Sequence, residues 1–70
     1  MRQRTEYERI RSVLQRADVD GPLTAREIAD LLRESDVDIE SPHRVATILG
    51  RQAQRGEVEV IDGQPYRYRI

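Results

Sequence analysis

The chain has seventy residues, no cysteine, twelve basic and thirteen acidic side chains, and a net charge of −1, which excludes a disulfide framework and thiolate metal sites. A chain this short is one domain with a thin core, because it buries only about 60% of the surface its unfolded form exposes. It lacks an apolar run long enough to cross a membrane and its start is too charged for a signal peptide, so the expectation is a soluble cytoplasmic protein without a membrane partner.

Every basic side chain is arginine. Absence of lysine hints at a high-GC or halophilic source, and codon bias explains it as well. The physical consequence is the same either way, since arginine keeps its charge and forks onto phosphates. The charge is also unevenly placed. Residues 1–17 carry a net +3, residues 18–40 a net −6, residues 41–56 a net +3 and residues 57–70 a net −1. An acidic interior segment thus separates two basic ones.

Residues 1–4 read as a short basic arm with Arg2 and Arg4. From Thr5 to Ala17, Tyr7, Ile10, Val13 and Leu14 recur at helical spacing, which predicts a first helix over 5–17. Gly21 and Pro22 break it. The segment LTAREIADLL then opens with a capping box, Thr24 and Glu27, and carries Ile28, Leu31 and Leu32 on one face, which predicts a second helix over 24–35. SDVDIE follows as a polar loop with Val37 and Ile39 as inward anchors. Ser41 is a good N-cap, Pro42 suits the first helical position, and Gly56 suits the stop, so a third helix is expected over 41–55 with Val45, Ile48 and Leu49 buried.

The period then changes. In EVEVIDGQPYRYRI, Val58 and Val60 alternate with acids while Tyr66, Tyr68 and Ile70 alternate with arginines, around an Asp62-Gly63 turn. An even register keeps both apolar rows on one face. Pairing Val58 with Tyr68 and Val60 with Tyr66 also sets Glu57 against Arg69 and Glu59 against Arg67. A two-stranded hairpin over 57–70 is expected, with both tyrosines covering the core.

The run LTAREIADLL…SPHRVATILGRQAQRGEVEV…YRYRI resembles the winged helix-turn-helix domains of bacterial and archaeal transcription regulators, over residues 5–70. The resemblance implies an α+β domain of three helices and a C-terminal two-stranded β-hairpin wing. It makes 41–55 the recognition helix and double-stranded DNA the partner. On the wheel of that helix Val45, Ile48, Leu49 and Gln52 face inward and His43, Thr47, Gly50 and Gln54 outward, flanked by Arg44 and Arg51. The resemblance then implies His43, Arg44 and Thr47 near base edges, Gln54 on the same face, and Arg51, Arg55, Arg2 and Arg4 on phosphates. The chain departs from the family pattern in its long acidic connection before Ser41, in Gln52, in Gly50 inside the helix, and in a wing tip, Asp62 to Pro65, without a basic residue.

One such domain offers a small interface, which fits a homodimer on a two-fold site, although no dedicated dimerisation helix is evident. The competing reading is a protein-interaction module within a larger assembly, favoured by the acidic segment and the acidic wing. DVDGPLTARE matches part of a calcium loop, but Arg16 stands where the first carboxylate is required, and a Gly-Pro turn with a capping box explains the same residues. One histidine, no cysteine and no glycine-rich phosphate loop leave neither an enzyme nor a cofactor to expect.

Overall fold

Threonine followed three residues later by glutamate occurs at 5–8 and at 24–27, and each instance starts a helix. The computed structural model describes residues 5–19, 21–37 and 41–70. Helix α1 spans Glu6–Arg16; the Thr5 hydroxyl accepts from the Glu8 amide at 3.1 Å, and the Glu8 carboxylate accepts from the Thr5 amide at 3.2 Å. Helix α2 spans Ala25–Glu34 and is closed by the same reciprocal bonds between Thr24 and Glu27, at 3.2 and 2.9 Å. Helix α3 spans Pro42–Gln54, with the Ser41 hydroxyl accepting from the Arg44 amide at 3.2 Å and Pro42 at the first helical position. Each cap satisfies amides that have no partner inside the helix, and is worth about 1 kcal/mol.

The helix ends are equally specific. After α3, Gly56 takes a left-handed φ of 80°, its amide donates to the Ala53 carbonyl at 3.0 Å, and the Glu57 amide donates to the Gln52 carbonyl at 2.9 Å. That is a Schellman closure with glycine where the left-handed residue is needed. After α2 the same pair of bonds forms from Asp36 to Arg33 and from Val37 to Leu32, with Asp36 at φ 57°. Val37 packs against the core there, whereas Ile39, the second expected anchor, lies outside the described residues.

The expected two-stranded hairpin is part of a three-stranded antiparallel sheet. Strand β1 is Leu23–Thr24, β2 is Glu59–Ile61 and β3 is Arg67–Arg69, in the order β1-β3-β2. The reason lies in the cap of α2. An N-cap residue has extended backbone, here φ −73° and ψ 161° at Thr24, so the cap and Leu23 before it present a strand to the open edge of β3.

The register also differs from the expected one by two residues. Glu59 faces Arg69, Val60 faces Tyr68 and Ile61 faces Arg67. A slip of two preserves which face each side chain occupies. It also draws Ile61 out of the turn into a paired, half-buried position and leaves polar Asp62, Gly63 and Gln64 to the loop. Tyr66 goes into that loop and is 54% exposed, so only Tyr68 covers the core.

Three helices and the sheet enclose one apolar cluster: Ile10 and Val13 from α1, Ile28, Ala29 and Leu32 from α2, Val45, Ile48 and Leu49 from α3, with Val58 and Tyr68 closing it. Among the described residues no polar side chain is buried. No helix in the described residues is long and apolar enough to cross a membrane.

Candidate nucleic-acid interface

Helix α3 is fastened by Val45 and Leu49, both fully buried, and by Ile48. A helix held by one stripe turns the opposite stripe outward. On that side His43, Arg44, Arg51 and Gln54 are exposed, with Arg55 at the C-cap. Thr47 is half-buried and its hydroxyl donates to the His43 carbonyl at 3.0 Å, so it lies against its own helix and keeps its lone pairs for a donor. No acidic residue occurs between Ser41 and Gly56. The structure therefore brings His43, Arg44, Thr47, Arg51, Gln54 and Arg55 together on one helix. Arg2 and Arg4 lie outside the described residues.

Gly50 sits midway along this helix, and a Cβ built on it meets no atom within 4 Å. Nothing inside the protein requires glycine there, although glycine in a helix interior costs about 1 kcal/mol relative to alanine. The outward backbone of α3 is thus bare at its midpoint.

Arg44 does not extend alone from the helix. Its Nε and Nη2 donate to the Glu6 carboxylate of α1 at 3.3 and 2.5 Å. Both side chains stay substantially exposed, at 50% for Arg44 and 40% for Glu6. The hydrogen bond from Arg44 holds the Glu6 carboxyl below its ordinary value; its slight burial opposes this, and the charges of Arg44, Arg9 and Arg51 add to the lowering. The basic parts of α1 and α3 therefore meet at one seam. Among the described residues, Arg9, Arg51 and Arg55 form no ion pair.

The β2–β3 loop stands beside the start of α3. Between them is an open cleft of about 840 Å³ lined by Pro42 and Ala46 of α3, Arg26 of α2, and Asp62, Pro65 and Tyr66 of the loop. The arginines of strand β3 divide. Arg69 pairs with Glu59 at 3.2 Å, while Arg67 is exposed opposite Ile61 and Thr24 and lies near enough to Glu27 to help lower its pKa, behind the dominant backbone and hydroxyl bonds from Thr24. The expected facing of Arg67 with Glu59 and of Arg69 with Glu57 is thus replaced, through the two-residue slip, by the single pair Glu59–Arg69.

Three participants were not marked in the sequence: Glu6, Arg9 and the exposed Tyr66. Glu6 and Arg9 are three apart on one helix, which is a readable spacing. The contact of Glu6 with Arg44, 38 residues away, depends on how α1 crosses α3 and has no local signature. Among the described residues no three His, Asp or Glu side chains converge as a metal site. Asp18, a member of the partial calcium loop, takes φ 53° directly after the C-cap of α1, and Asp20 lies outside the described residues.

No protein-family model, no curated protein and no solved structure matches the chain.

Proposed function

We propose that this chain is a winged helix that binds double-stranded DNA and acts as a small transcription regulator, with α3 as its recognition helix. The observation that carries this reading is the composition of α3 against its setting. In a chain of net charge −1, the outward face of one apolar-anchored helix holds His43, Arg44, Arg51 and Gln54, ends in Arg55, and has no acid. The first turns of such a helix enter the major groove, where arginine forks onto guanine and a threonine methyl meets a thymine methyl. Arg51 and Arg55, one and two turns further on, suit phosphates. Tyr66 and the cleft beside Pro42 and Ala46 give the wing loop a flank on the same helix.

A gel-shift series with short duplex DNA tests the reading. Binding is expected at low salt, falling steeply as salt rises, because each neutralised phosphate contributes about 0.9 to the slope of log affinity against log salt. Arg44→Ala combined with Arg51→Ala is expected to remove most of it. Failure to shift any duplex at low salt ends the DNA reading, and binding indifferent to the two arginines moves the interface off α3.

A protein-interaction module is the second reading, and one observation favours it: the wing tip bears Asp62, no basic residue and an exposed Tyr66 beside the cleft. A chain that ignores DNA while its cleft residues govern association with a protein would fit that reading.

A further inference from the structure

One carboxylate at the seam between α1 and α3 is clasped by one arginine and feels the charge of two more. Glu6, the first residue of α1, accepts from both Nε and Nη2 of Arg44. Arg9 lies one turn further along α1 and Arg51 two turns along α3 from Arg44, and the charge of each reaches the same carboxylate. Arg9 and Arg51 form no ion pair among the described residues. A guanidinium fork binds a carboxylate and a phosphate by the same two parallel N–H bonds. The seam is therefore built as an oxyanion site and already holds an oxyanion belonging to the chain.

We propose that Arg9, Arg44 and Arg51 form a phosphate site across the α1–α3 seam, occupied by the Glu6 carboxylate in the free protein and by a DNA backbone phosphate in the complex. This rests on the DNA-binding reading above. It assigns Arg44 to the DNA backbone in place of a base edge, leaving His43 and Thr47 for the bases; it extends the interface from α3 onto α1 through Arg9, and it gives Glu6 a positioning role: the carboxylate orients Arg44 before DNA arrives. It also makes Glu6 a competitor. A duplex that touches the seam alone gains little, since one half-exposed ion pair replaces another. A duplex that docks along the whole of α3 gains the remaining contacts as well. Glu6 thereby suppresses loose electrostatic binding more than aligned binding.

The test is equilibrium binding of a short random-sequence duplex, followed by fluorescence anisotropy over a range of salt, for the wild type, Glu6→Gln, Arg9→Ala and Asp30→Asn. Asp30→Asn changes the net charge by the same amount as Glu6→Gln, on the exposed side of α2 where Asp30 faces Arg33 at 3.8 Å. Glu6→Gln is expected to tighten low-salt binding by about twofold to fivefold, the size expected for an exposed ion pair, and Asp30→Asn by less. Arg9→Ala is expected to reduce the salt slope by about 0.9, the loss of one phosphate contact. If Glu6→Gln binds no tighter than the wild type, or Asp30→Asn matches it, the competitor role is refuted while DNA binding stands. An unchanged salt slope in Arg9→Ala overturns the seam site independently of how Glu6→Gln folds. Absence of binding in all four proteins overturns the DNA reading and this site with it.

Discussion

Two glycines in one helix region are used in opposite ways. Gly56 holds φ 80° at the stop of α3, a conformation in which a Cβ is strained. Gly50 holds ordinary helical backbone with open space where its Cβ would stand. Substitution by alanine should therefore split in sign. Gly50→Ala is expected to stabilise the fold by about 0.5–1 kcal/mol, and Gly56→Ala to destabilise it by about 1 kcal/mol, both read from urea unfolding midpoints. Two losses of stability would mean that the backbone at 50 is not the open helical site described. The same Gly50→Ala protein carries a functional expectation. If DNA approaches the bare midpoint of α3, the variant binds duplex more weakly although it is more stable. Stability and binding moving in opposite directions is the signature of a residue kept for contact rather than for folding.

At the scale of elements, the sheet decides between two pairings that share the same faces. The observed register places Glu59 against Arg69 at 3.2 Å, whereas the alternative would place Glu57 there. A double-mutant cycle on Glu59 and Arg69 is expected to return a coupling of about 0.2–1 kcal/mol, and one on Glu57 and Arg69 a coupling within error. The reverse result would restore the alternative register. This also shows what was legible in the sequence. The three helices, with Thr24 and Ser41 at their starts and Gly56 at a stop, were readable because caps are local chemistry between residues three to five apart. The faces of the strands were readable because alternation has a period of two. The register was not, because opposite charges and apolar rows align equally well after a slip of two. Strand β1 was not, because two residues leave no periodicity, and only the edge of β3 makes Leu23–Thr24 a strand. The exposed row of α3 was legible from the helical wheel. The clasp of Arg44 by Glu6 was not, since it depends on how α1 crosses α3.

At the scale of the whole molecule, the chain is nearly neutral in sum. Arg44 of α3 clasps Glu6 of α1, and the charges of Arg9 and Arg51 reach the same carboxylate. On α2, Asp30 and Glu34 are exposed, away from the buried face of Ile28, Ala29 and Leu32. A cluster of arginines attracts a polyanion, and that attraction is sensitive to salt. Among the described residues the core is thin, ten buried side chains, and Val45, Ile48 and Leu49 are the ones that anchor α3 to it. The most direct measurement is the map of backbone amide chemical-shift changes as duplex DNA is titrated into labelled protein at low salt. Changes are expected to concentrate from His43 to Arg55, joined by Glu6 and Arg9 on α1 and by the loop at Tyr66, with the exposed acids of α2 undisturbed. Changes centred on Asp30 and Glu34, or no changes at all, would contradict that expectation.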